Sequence, residues 1–340
     1  MNYSIKKLFV LFIFSCPYSL LSQPYPSDIL HDIQSWKITL PVDKDGKDSR
    51  DAGTVEKRNT NVLEVSGKNL VQFDYSPYFS ASESTVVFRA HCAGATTKGT
   101  KYPRSELRQL VDGGDNYWSM NDSQYFQTIL AVNHVPVEKP EVCMVQIHGP
   151  VDEPLRVQYH ADIGVYLVWN ENNKNRDKAL KYSIGEKLKI SVGVNQGNIT
   201  CLLENLNRNT LYSSTWQAID TKGYFKVGCY TLSSIFLSQF KLNKNNEPLD
   251  AYGEVVVYYI ALQELKSSLK RKNSLNIKKG KFINKKRVSL YIHSEFQYVY
   301  EPFMNLLGQI IPQIPANNAI RRITKNQSVS AGFYLVKHGN

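Results

Sequence analysis

The stretch Lys187-Leu-Lys-Ile-Ser-Val-Gly-Val-Asn-Gln-Gly-Asn-Ile-Thr-Cys-Leu-Leu-Glu204 decides the fold. Leu188, Ile190, Val192 and Val194 alternate with Lys187, Lys189 and Ser191, so one face is apolar and the other polar, as in a strand. Asn195-Gln-Gly-Asn198 is a run of turn formers, and 199–203 returns as a second apolar strand. The spacing predicts a hairpin over 187–204. The same signature recurs at 85–90, 104–110, 125–132, 142–148, 155–160, 165–170, 224–230 and 254–262, with polar turns between. Helical periodicity is nearly absent. Many short strands and no internal repeat predict an all-β chain, a two-sheet antiparallel sandwich or β-jelly roll.

Composition agrees with a packed core. The chain has 340 residues, 42% apolar and 21% charged, which excludes a disordered or collagen-like protein. The net charge of +11 invites a nucleic-acid reading, but its distribution argues against one. Residues 266–340 hold 14 basic and 2 acidic side chains, whereas 23–265 sum to −3. Three segments follow: a signal over 1–22, a β domain over 23–265, and a basic, poorly ordered extension over 266–340. Nucleic acid is not an expected partner.

Lys6-Lys7, the apolar run 8–14 and the small residues 19–22 form a secretory signal, cleaved near Ser22. The run is too short to span a bilayer, so no transmembrane segment is expected and the product is read as secreted. Cys16 is a poor lipoprotein site because Phe14 fits the pattern badly. Cys92, Cys143, Cys201 and Cys229 remain after cleavage, an even number that allows two disulfides in an exported protein. No CxxC spacing occurs, so zinc is not expected.

Three strands carry polar side chains at period two on one face. Arg104, Glu106 and Arg108 share a face, as do Gln146 and His148, and as do Tyr224, Lys226 and Tyr230. Cys143, Val145 and Ile147 of the second strand, and Phe225, Val227 and Cys229 of the third, are expected in the core. Taken singly, each front is an ordinary solvated or ion-paired face. Together they offer two guanidiniums, an ammonium, an amide, an imidazole and two phenols. Such a surface suits an anionic, hydroxyl-rich polymer, because guanidinium forks pair with carboxylates and phenol faces stack on sugar rings.

Arg104-Ser-Glu-Leu-Arg108, Gln146-Ile-His148 and Tyr224-Phe-Lys-Val-Gly-Cys-Tyr230 resemble the three signature blocks of the polysaccharide lyase family 7 alginate lyases. Trp36-Lys-Ile-Thr-Leu-Pro41 is similar to the family's opening segment, and the resemblance covers about 33–263. Cys229 and Thr231-Leu232 depart from the family's usual residues. The resemblance implies a jelly roll whose concave sheet binds alginate and cleaves the 4-O-glycosidic bond by β-elimination, as a monomer, without cofactor or metal. It implies that Arg104 and Gln146, assisted by His148, neutralise the uronate carboxylate. His148 is then the base for guluronate and Tyr230 the acid, with Tyr230 taking both steps on mannuronate. Arg108, Lys226 and Tyr224 bind substrate, and Glu106 holds the arginines. A phenol pKa lowered by Lys226 and Arg108 is expected at Tyr230. The isoleucine of Gln146-Ile-His148 leans toward guluronate.

Three alternatives use the same residues. A carbohydrate-binding module needs the face but not His148 with Tyr230. A glycoside hydrolase needs two carboxylates, and the fronts supply only Glu106. A lyase for another polyuronate, such as glucuronan, shares the mechanism.

Overall fold

The computed structural model describes residues 23–49, 59–170, 176–237, 241–242, 247–264, 303–304 and 310–311. The expected signal over 1–22 lies outside the described residues, as does nearly all of 266–340. In chain order the strands are β1 (Trp36–Thr39), β2 (Glu64–Ser66), β3 (Phe79–Ser82), β4 (Thr85–His91), β5 (Arg104–Gln109), β6 (Trp118–Ser119), β7 (Gln124–His134), β8 (Glu141–His148), β9 (Leu155–His160), β10 (Gly164–Trp169), β11 (Arg176–Leu180), β12 (Leu188–Asn195), β13 (Asn198–Asn205), β14 (Thr210–Gln217), β15 (Lys222–Thr231), β16 (Phe236–Leu237), β17 (Lys241–Leu242) and β18 (Tyr252–Glu264). Two further short strands, β19 (Phe303–Met304) and β20 (Ile310–Ile311), pair with each other.

Two antiparallel sheets make the sandwich. The front sheet runs β11-β10-β9-β8-β15-β5-β1-β2, with β6 also pairing to β15. The back sheet runs β14-β13-β12-β7-β18-β4-β3. Each expected strand is present. The expected hairpin is β12–β13, in register from Leu188 opposite Asn205 to Asn195 opposite Asn198. Its two-residue turn places Gln196 and Gly197 at φ +48° and +78°, the left-handed pair that matches strand twist. Short strands such as β2, β3 and β6 escaped the sequence reading because two to four residues show no usable period.

Apolar residues of period two meet between the sheets. Leu107, Val145, Ile147, Phe225 and Val227 from the front pack against Phe88, Phe126, Leu130, Ile190, Val192 and Val257 from the back. Phe126 stacks on Phe225 at 5.2 Å, and Trp36 meets Phe126 edge-on at 6.1 Å. Such buried aromatic pairs add about 0.5–1.5 kcal/mol beyond their burial.

Two expectations are corrected. The four cysteines are buried free thiols and form no disulfide. Burial pushes the Cys92, Cys143, Cys201 and Cys229 thiols upward, so they behave as small apolar side chains. Second, Cys143 does not face the core. The register of β8 shifts between Cys143 and Val145, against both β9 and β15. Met144 and Val145 both enter the core, and Cys143 turns to the front, packed with Tyr230 and Leu232. A bulge of this kind breaks simple alternation.

The irregularity on β15 centres on Gly228, at φ +146° and directly opposite Glu106. A Cβ there would lie 2.5 Å from the Ser105 carbonyl oxygen and 2.8 Å from Glu106 Cα, both backbone atoms that cannot yield. Gly228→Ala is therefore expected to destabilise the fold by about 2 kcal/mol or more, read by denaturant unfolding, whereas Gly99→Ala, in open space, is neutral.

Candidate active site

All eight residues singled out from the sequence lie on three adjacent strands, β5, β15 and β8, on the face turned away from the core. Tyr230 stands opposite Arg104, Lys226 opposite both Arg108 and Gln146, and Tyr224 opposite His148. Alternation puts Leu107, Val227 and Ile147 beneath them in the core.

Glu106 is the hub, and it is 1% exposed. Its Oε2 accepts Arg104 Nη1 at 3.0 Å and Lys226 Nζ at 2.5 Å, and its Oε1 accepts Gln146 Nε2. Burial acts to raise the Glu106 pKa, but Lys226 and Arg104 with their hydrogen bonds overcome it and hold the carboxyl below its ordinary value. Such a carboxylate is a poor proton donor, so Glu106 does not suit the acid of a hydrolase pair. Lys226 is itself shifted down, by burial and then by Arg104, with Glu106 opposing.

Glu106 was expected to hold both arginines, and it holds only Arg104. Arg108 donates instead to Asp115 Oδ1 at 2.8 Å and to the carbonyls of Gln109 and Asn116, at 3.1 and 3.3 Å. Arg104 and Arg108 each lie two positions from Glu106 along β5, and the neighbouring strand brings Lys226 to the same carboxylate. Lys37 Nζ completes that outer cluster, 2.7 Å from Asp115 and 3.2 Å from Glu64.

The aromatic groups are layered on the cations. Arg104 lies over the Tyr230 ring at 3.9 Å and Arg108 over the Tyr224 ring at 3.9 Å. Tyr224 stacks on His148 with centroids 5.4 Å apart and planes 8° apart. The expectation of a lowered Tyr230 pKa is overturned. Burial pushes that phenol well above its ordinary value, Arg104 counteracts only partly, and Arg108 lies against a different tyrosine.

His148 is the accessible member, its side chain 35% exposed. Its Nδ1 lies 2.6 Å from the Gly149 carbonyl oxygen. A carbonyl only accepts, so Nδ1 carries the proton and Nε2 presents a lone pair. Burial and Lys226 lower the His148 pKa, Glu153 opposing, so the ring is neutral at neutral pH.

The sequence reading missed Arg156 and Glu153. Arg156 stands opposite Gln146, its Nη1 3.3 Å from Glu153, whose other oxygen is 4.0 Å from His148 Nε2. The signal was present, because Arg156, Gln158 and His160 alternate with Leu155, Val157 and Tyr159. With it a single rung crosses five strands: Arg156, Gln146, Lys226, Arg108 and Lys37 are successive partners on β9, β8, β15, β5 and β1. Strands about 4.8 Å apart make that rung about 19 Å wide.

An antiparallel jelly roll bearing a cationic, tyrosine-lined front defines a carbohydrate-active β-sandwich. A family model described as alginate lyase matches residues 31–264. The chain belongs to the alginate lyase family. It is 28% identical over 178 residues to an alginate lyase of Klebsiella pneumoniae, a match covering 44% of this chain and 54% of that protein. Among solved structures it is similar to alginate lyase AlgAT5 of polysaccharide lyase family 7, at 26% identity and TM-score 0.57, covering 71% of this chain and 98% of the other. It is also similar to the alginate lyase of a Corynebacterium species, at 25% identity and TM-score 0.56 over 71% and 98% of the two chains.

Removing Glu106 strands two buried cations. Glu106→Ala is expected to cost about 3–5 kcal/mol by denaturant unfolding. Because the folded pKa of Glu106 is depressed, its contribution is complete above its ordinary 4.5 and is lost as pH falls through the folded value. Acid unfolding of the wild type should lose a component that the variant never had.

Proposed function

We propose that this chain is an alginate lyase that cleaves the 4-O-glycosidic bond by β-elimination. One observation carries the reading: Arg104 and Lys226 share the single carboxylate of Glu106, so the buried cluster keeps one net positive charge. A uronate carboxylate supplies the missing negative charge. Gln146 spends one amide N–H on Glu106 and has a second to offer. The rung from Arg156 to Lys37 suits a polyanion lying across the strands.

The C5 proton of a uronate lies α to a carboxylate and is very weakly acidic. Pairing that carboxylate with Arg104 and Gln146 stabilises the enolate-like charge as the proton leaves. His148 Nε2 takes the C5 proton. The electron pair forms the C4=C5 double bond, the C4–O4 bond breaks, and the Tyr230 hydroxyl protonates O4. Tyr224 and Arg108 hold a neighbouring sugar.

A neutral imidazole and a protonated phenol are ready-made base and acid. Tyr230 acting as base would first have to lose a proton that burial retains. The pair therefore favours guluronate, where proton and leaving group are anti. We further propose that the basic, apolar leader exports the enzyme, which acts outside the cell as a monomer.

Mixing the protein with alginate is expected to raise the ultraviolet absorbance of the conjugated C4=C5 bond, faster on polyguluronate than on polymannuronate or glucuronan. A hydrolase or a binding module produces no such signal. His148→Ala and Tyr230→Phe should each lose about 10²–10⁴-fold in kcat. The acid limb of kcat/KM should titrate below the ordinary histidine value of 6.5, because His148 must be neutral to act.

A further inference from the structure

Asp220 does not belong to the set above, yet its buried carboxylate joins the two strands that carry the acid and the base. Oδ1 accepts the backbone N–H groups of Thr221 at 2.7 Å and Lys222 at 3.4 Å, where β15 begins. Oδ2 accepts those of Val151 and Asp152, both at 3.3 Å, in the turn that follows β8. Four N–H groups converging on one carboxylate form a strong local anchor. The turn is closed by Gly149 N–H donating to the Asp152 carbonyl at 2.8 Å.

Gly149 is what lets the carboxylate in. A Cβ there would lie 1.9 Å from Asp220 Oδ2 and 2.5 Å from its Cγ. The same Gly149 supplies the carbonyl that receives the His148 Nδ1–H. The turn leads on to Glu153, whose N–H donates to Asp152 Oδ1 at 2.6 Å and whose carboxylate lies 4.0 Å from His148 Nε2. Both groups that face the two imidazole nitrogens thus depend on one turn, and Asp220 holds that turn.

We propose that Asp220 is a positioning residue for His148: it clasps the 149–152 turn to the start of β15, keeps the Gly149 carbonyl on Nδ1–H, and so reserves Nε2 as the proton acceptor. The inference rests on reading His148 as the base. A neutral imidazole has one N–H, and without a fixed carbonyl it distributes that proton over both nitrogens. Every ring with the proton on Nε2 is unable to abstract another there.

The test uses the full chain labelled with 15N-histidine at neutral pH, the His148 ring nitrogens being assigned by their loss in His148→Ala. The wild type is expected to show a protonated Nδ1 and a bare Nε2. Asp220→Ala and Asp220→Asn are expected to show a mixture of the two tautomers. Both should lower kcat on alginate about tenfold or more, a part of the about 10²–10⁴-fold that a positioned base contributes, with KM changed by less than about twofold. A wild-type ring protonated on Nε2 overturns the proposal, whether or not the variants fold. So does a folded Asp220 variant with wild-type kcat or a wild-type tautomer. A wild type with the Nδ1–H ring, but without turnover of any polyuronate, supports the clasp and overturns the lyase reading instead.

Discussion

Glu106 carries the constraint on which the front sheet depends. A carboxylate 1% exposed is costly unless its lone pairs are met, and here Arg104, Lys226 and Gln146 meet them. Those partners come from three neighbouring strands, so the ionic cluster is also a statement of register. A shift of one residue in β15 would turn Lys226 into the core and Val227 to the front. Gly228 makes the close pairing of β15 with β5 feasible, because a Cβ opposite Glu106 would run into the Ser105 carbonyl and the Glu106 backbone.

Burial then separates the protonation states of the two reactive groups. It raises the Tyr230 phenol and lowers the His148 imidazole, driving each toward its neutral form. A neutral phenol donates and a neutral imidazole accepts. The cations nearby serve a different purpose from lowering the phenol pKa. Arg104 stacks on Tyr230 while being drawn to Glu106, and the net positive charge left over is directed at an anion.

How much of this was legible depends on whether alternation held. On β5 and on β15 it held, and Arg104, Glu106, Arg108, Tyr224, Lys226 and Tyr230 stand where a period of two puts them, with Cys229 in the core. On β8 the bulge carried Cys143 to the groove side beside Tyr230, which alternation cannot foresee. The partner of Arg108 was not legible, because Asp115 comes from a loop and no period connects a loop to a strand. Arg156 was legible but unread: its strand alternates as cleanly as the other three.

By itself the sequence determined which side chains face outward together within each strand, since that follows from backbone geometry over two residues. It also determined the chemical character of the three strand fronts, rich in cations and phenols, though not the second carboxylate that the loop residue Glu153 adds beside His148. Tertiary structure alone decided that β8, β15 and β5 are neighbours although about 40 and 75 residues separate them along the chain. It decided which cations Glu106 claims, that the four thiols stay free, and that burial keeps Tyr230 protonated and His148 neutral. Those outcomes depend on distance and dielectric, which arise only when strands far apart in sequence are packed against one another.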